Sequence, residues 1–164
     1  MDFTASHRPA MLSAHEAAAV LAHARQLQQA QTSGAAPARL LHGRRIALLC
    51  SSESDPDAAL FRSAASALGA QVSHIVPRFA PAVTPYEMAR TARMFGRLYD
   101  AVECQGLAPE QVQQLSDAAG VPVFDGLARD GYLPEPDVER QGSAAPPAIG
   151  RRFIVQAVLV ASLR

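Results

Sequence analysis

The chain has 164 residues, 49% of them hydrophobic, enough for one ordinary core and short of two packed domains. Fifteen arginines balance fifteen acidic side chains, so no global field recruits nucleic acid or an anionic membrane, and the lack of lysine removes Schiff-base chemistry and lysine-dependent phosphate loops. Residues 1–10 read as a tail without the apolar stretch of a targeting leader, and no apolar run approaches the ~20 residues that span a bilayer, so a soluble, cytoplasmic protein is expected.

Ser13-Ala14-His15-Glu16 is a capping-box sequence, and Ala17, Leu21, Ala24 and Leu27 follow at helical spacing, predicting a helix to about Gln31. Gly34 and Pro37 mark a connector from Thr32 to Arg39, ahead of an apolar strand from Arg45 to Cys50. Asp55-Pro56-Asp57 reads as an N-cap, a proline at the first helical position and an acidic first turn. The helix it opens carries the stripe Leu60/Phe61, Ala64/Ala65 and Leu68, and Gly69 caps its end.

Val72 to Val76 predicts a short strand, and Thr84-Pro85-Tyr86-Glu87 a second capping box before a helix bearing Met88, Ala92, Phe95 and Leu98/Tyr99. A strand at Ala101 to Cys104, a helix at Pro109 to Ala119 and a strand at Val121 to Phe124 continue the alternation. The fold expected is α/β, a doubly wound four-stranded parallel sheet with helices on both faces. Residues 126–150, rich in Gly, Pro, Asp and Glu without a period, read as a loop or linker, and Phe153 to Leu163 is apolar nearly all round and must be buried as a final helix.

Several of these segments resemble the carbamoyl-phosphate domain of ornithine and aspartate carbamoyltransferases. Gly43 through Ile46-Ala47-Leu48-Leu49 to Phe61 and Leu68-Gly69 is similar to the family's first strand, phosphate loop and helix. Met11 to Glu16 and Leu40 to Gly43 resemble the preceding helix and its exit. Thr91-Ala92-Arg93 with Leu98 to Ala101 resembles a later helix and third strand, and Val121 to Leu127 the fourth strand. Ile154 to Leu163 resembles the family's terminal helix, so the resemblance implies a first domain closed by that helix, with the amino-acid-binding domain absent.

The substitutions in the loop oppose the family's chemistry. Where the family has Ser-Thr-Arg-Thr-Arg, this chain has Ser54-Asp55-Pro56-Asp57-Ala58, and the family's arginine after the third strand is matched by Gln105. Its His-Pro-x-Gln signature falls at Tyr132-Leu133-Pro134-Glu135. Pro56 and Ala58 in place of the two arginines remove the bidentate phosphate donors, and Asp55 and Asp57 in place of the two threonines add charge of the wrong sign: a charge pair ~4 Å apart at an effective dielectric near 20 is worth about 4 kcal/mol, here repulsive toward phosphate. Asp55 can cap the helix itself. The vestigial crevice therefore comprises Ser52, Ser54, Asp55, Asp57 and Gln105, with no catalytic residue carried over and no cofactor implied.

Asp55 and Asp57 are most simply capping residues, with cation or amine binding alongside Glu53 as the alternative. Cys50 and Cys104 end neighbouring strands and are expected as inert buried thiols, the alternative being a redox pair or soft-metal site. His7, His15, His23, His42 and His74 show no zinc-binding spacing, so no metal site is expected, and Ser51, Ser52 and Ser54 have no evident base. The function expected is a noncatalytic stand-alone domain, a pseudoenzyme related to amino-acid metabolism. It would act as a homo-oligomer such as a trimer, within a related transferase, or on another small ligand. The alternative is an enzyme or sensor redirected to a cationic amine or amino acid. A receiver-like phosphoacceptor, also doubly wound, is opposed by Gln105 at the third strand's end and by the absence of lysine.

Overall fold

Ile46, Ala47, Leu48 and Leu49 have no exposed surface, as expected of a central parallel strand covered on both faces. They form β1 (Arg45–Leu49) in the computed structural model, which describes residues 12–36, 38–79, 83–133 and 148–164. The expected tail at residues 1–10, Met11, Pro134 and Glu135, and most of the 126–150 connector lie outside the described residues.

The chain runs α1 (Ala14–Thr32), β1, α2 (Pro56–Ala67), β2 (Gln71–Ile75), α3 (Pro85–Leu98), β3 (Ala101–Cys104), α4 (Pro109–Ala119), β4 (Val123–Asp125) and α5 (Arg151–Leu163). The sheet is wholly parallel in the order β2-β1-β3-β4, with Leu49 opposite Ile75 and Cys104, and Cys104 opposite Asp125. The doubly wound α/β expectation is met. Strand order reverses between β1 and β3, so the crevice at their carboxyl ends is where such a sheet receives ligands.

Side chains alternate across β1 and build two cores. Ile46, Leu48 and Cys50 face α1, α2 and α5, with Phe61, Leu68, Val155 and Leu159 among their neighbours. Ala47 and Leu49 face α3 and α4, with Met88, Phe95, Val112 and Leu115. Gly96 lets α3 and α4 approach closely, because a Cβ there would collide with the Ala119 carbonyl oxygen.

Local signals explain the helix starts. Ser13 and Thr84 each accept from a backbone N–H three residues on, while Glu16 and Glu87 reach back to the cap. Several boundaries shift by a residue or two from expectation. Pro122 has no N–H for a ladder, so β4 begins at Val123, although its carbonyl accepts from Val102 at 2.9 Å. β2 begins at Gln71, and α5 begins at Arg151, two residues before its apolar run. Early in the aperiodic stretch, Leu127, Ala128, Tyr132 and Leu133 are buried against the α2–α5 side, where periodicity offered no sign of core.

Candidate ligand crevice

Asp55 precedes α2, and its Oδ1 accepts from the N–H groups of Asp57 at 2.9 Å and Ala58 at 3.0 Å. These amides are the ones a bound anion would use at a helix N-terminus. Pro56 at the first helical position contributes no donor. The helix end is thus satisfied by its own N-cap carboxylate, as the sequence led us to expect.

Asp57 projects from the first turn of α2 and meets Arg151 of α5 at 3.2 Å, and the same guanidinium nitrogen donates to the Ala128 carbonyl at 3.2 Å. Arg151 was not singled out by sequence reasoning, because it lies 94 positions away in a segment distinguished only by its apolar run. Ser52 and Ser54 hydroxyls lie 2.8 Å apart, and the Ser54 N–H donates to Ser52 Oγ at 3.3 Å, so both serines shape the loop.

His74, to which no role was assigned, places Nε2 2.7 Å from the Cys50 carbonyl and Nδ1 3.1 Å from Glu53. The Glu53 carbonyl also accepts from Arg62 at 3.1 Å. Glu53 is therefore directed to β2 and is not gathered with Asp55 and Asp57 around one centre. Among the described residues no group of three or more His, Cys, Asp or Glu side chains is placed to hold a metal ion.

Gln105 donates to Glu103 Oε1 at 2.7 Å, and the Leu127 N–H donates to the same oxygen at 2.8 Å. Glu103 is fully buried, and its Oε2 has no hydrogen-bond partner among the described residues. Burial holds this carboxyl well above the usual carboxylate range, and nearby Asp125 adds to the shift, against the donated hydrogen bonds and Arg129. Sequence reasoning missed Glu103, although a lone acid in Ala101-Val102-Glu103-Cys104, a strand wholly buried, was the available signal.

The cysteines do not meet. Cys104 pairs in register with Leu49, so Cys50, one residue on, points to the opposite face; Cys50 lies in the α2–α5 core and Cys104 in the α3–α4 core. Both are free and buried. Cys50 Sγ donates to the Ser52 carbonyl at 2.8 Å, and burial, with Glu103 and Asp125, pushes the Cys104 thiol far up. Pairing as a redox or soft-metal site is excluded by this alternation.

This geometry was compared with known proteins. No protein-family model matches the chain. It is 40% identical over 122 residues to the catabolic ornithine carbamoyltransferase of Burkholderia mallei, covering 74% of this chain and 36% of that protein. It is 40% identical over 103 residues to the ornithine carbamoyltransferase of Haemophilus influenzae, covering 63% and 30%. The chain is a domain of the carbamoyltransferase family. It spans about a third of the length of these curated relatives. Solved structures agree on the fold. The Pyrococcus furiosus ornithine carbamoyltransferase superposes with a TM-score of 0.66 at 24% identity, covering 77% of this chain and 41% of that one. The catalytic subunit of M. jannaschii aspartate transcarbamoylase gives 0.63 at 20%, covering 79% and 42%. Among the described residues of this carbamoyltransferase-family domain, no helix is long and apolar enough to cross a membrane.

Proposed function

We propose that this domain is a noncatalytic carbamoyltransferase relative whose role is binding. Its partners would be further copies of itself, as in a homotrimer, a related transferase subunit in the cytoplasm, or a small ligand other than carbamoyl phosphate. One observation carries the reading: the Asp55 carboxylate already accepts from the α2 amides that would receive a phosphate. Asp57 adds a second negative charge there, and its Arg151 partner is shared with the Ala128 carbonyl. Gln105, where the resemblance expects a cation, is turned to Glu103. Of the described positions that the resemblance aligns with the family's cations, Pro56, Ala58 and Gln105, none carries a charge to stabilise a departing phosphate.

Calorimetric titration of carbamoyl phosphate, with inorganic phosphate as control, into the purified chain at low salt tests this directly. No heat and no citrulline formed with ornithine are expected. Micromolar binding or turnover would overturn the reading.

A second reading is favoured by the Arg151 contact, since the Asp57 carboxylate already pairs with a guanidinium and a cationic ligand would imitate that group. In that case the domain senses a cationic amine or amino acid that competes with Arg151. Thermal shifts with an amine panel, lost in Asp57→Ala, would support it, and a flat panel would remove it.

A further inference from the structure

The backbone N–H groups of Ser54 and Asp55 make only long bonds within the crevice loop, to Ser52 Oγ and to the Ser52 carbonyl, both at 3.3 Å. The loop is anchored from outside at Glu53. Arg62 of α2 donates to the Glu53 carbonyl at 3.1 Å, and His74 of β2 meets the Glu53 carboxylate at 3.1 Å. Arginine stays charged at any pH a protein survives, whereas histidine is the side chain that changes charge near neutrality. One of the two anchors can therefore be switched.

Both ring nitrogens of His74 face acceptors: Nε2 lies 2.7 Å from the Cys50 carbonyl, and Nδ1 lies 3.1 Å from Glu53 Oε1. A neutral imidazole has one N–H and can make only one of these bonds, and turning the ring over would set C–H groups against both oxygens. The arrangement thus holds one proton more than a neutral ring. When that proton leaves, the bond to Cys50 is the one kept, being the shorter and made to a residue whose own N–H is fixed on the Ile75 carbonyl. The lone pair left on Nδ1 then opposes the Glu53 carboxylate, which is 62% exposed and free to turn into water. On the sheet, β2 is an edge strand and Leu48 of β1 stands opposite His74. The charged groups of α2 are Arg62, on the Glu53 carbonyl, and Asp57, paired with Arg151, while the Cys50 thiol donates to the Ser52 carbonyl. Among the described residues no other carboxylate lies within ion-pair distance of His74.

We propose that His74 is a proton-operated clasp on the crevice loop: protonated, it pins Glu53 to β2; neutral, it keeps its Nε2–H on Cys50 and lets Glu53 go. Released, Glu53 returns a negative charge to an entrance that already carries Asp55 and Asp57. Rising pH then makes the crevice less hospitable to an anion and more hospitable to a cation. As a control on ligand binding the clasp rests on the binding role proposed above. Its mechanics are read without any ligand, so either can fail alone.

The test follows the full chain by NMR at about pH 5 and about pH 8, the range over which histidine changes charge. It reads solvent-exchange protection of the Ser54 and Asp55 amides, corrected for intrinsic rates, together with the nitrogen-15 shifts of the His74 ring. Protection is expected to fall about two- to fivefold at the higher pH, the size expected when an ion pair with one exposed partner is lost, while Nδ1 gives up its proton and Nε2 keeps its own. Glu53→Gln should hold the loop equally at both pH values, because a side-chain amide can turn its oxygen to a protonated Nδ1 or its NH2 to a bare one. Glu53→Ala should show the weaker protection at both, with the Arg62 bond to the backbone carbonyl intact. Protection that is flat or absent in the wild type overturns the proposal, as does a neutral ring protonated on Nδ1. Wild-type pH dependence persisting in Glu53→Ala would sink it too.

Discussion

Asp55 stands where a family of phosphate binders offers open amides, and its replacement separates the capping role from the blocking role. Asp55→Ala removes two hydrogen bonds at the start of α2. The expected loss is about 1 kcal/mol of stability, read from denaturant unfolding, because an N-cap acid is worth that much on average. Asp55→Gly should be milder, by a few tenths of a kcal/mol against the wild type, and neither change alone should create phosphate affinity while Asp57 remains. Glu103 makes a sharper residue-scale case. A buried carboxyl whose folded pKa is raised contributes stability that is fully present below its unfolded value near 4.5 and is lost as pH rises through the folded value. Glu103→Gln keeps the acceptor for Leu127 N–H and Gln105 and cannot ionise. The melting temperature of the variant should therefore gain on the wild type as pH rises from 5 toward alkaline conditions, because only the wild type must keep a buried carboxyl protonated to stay folded. Parallel pH curves would refute the assignment of Glu103 as a neutral acid.

At the scale of elements, the closest packing is between α3 and α4, where Gly96 faces the Ala119 carbonyl. Gly96→Ala would improve helix propensity on an open surface; here the added methyl must push two helices apart. A net loss of about 1–3 kcal/mol is expected, with a melting temperature lowered by several degrees, and a stabilised variant would mean that α3 can slide freely. The helices were legible in the sequence because each carries a local signature: the Ser13 and Thr84 caps, Pro56 after Asp55, and apolar stripes of period near 3.6. The sheet was legible as an alternation of short apolar runs, and its least certain ends were those set by partners, as at Pro122, where the ladder decides the boundary. The crevice was legible where it depends on local chemistry, as in the Asp55 cap. It was hidden where it depends on distant chain: Arg151 on Asp57, His74 on Glu53, and Leu127 on Glu103. The suggested meeting of Cys50 and Cys104 failed because a one-residue offset in a strand reverses the face.

For the whole molecule, α5 is the element on which one side of the domain depends. It lies between α1 and α2, and α1 packs chiefly on α5, with little direct contact to the sheet. Gln28 of α1 grips the lead-in, accepting from Gly150 N–H at 2.9 Å and donating to the Ala148 carbonyl at 3.1 Å. Gln156 donates to the Ala64 carbonyl of α2 at 3.1 Å in a buried setting. The α3–α4 layer, by contrast, packs on the other face of the sheet and shares no side chain with this cluster. Leu159 is fully buried in α5, so Leu159→Ala should cost about 2–5 kcal/mol through lost transfer energy and the cavity left behind. That loss should fall unevenly. Once α5 loosens, α1 has little else to hold it, whereas β1, β3 and α3 retain their own core. Native-state hydrogen exchange of Leu159→Ala is therefore expected to show α1 and α5 opening together, at a free energy below that of global unfolding, while the central strands exchange only by global unfolding. Equal loss of protection in every element would instead mean that the two cores unfold as one cooperative unit, and that α5 is only one more part of it.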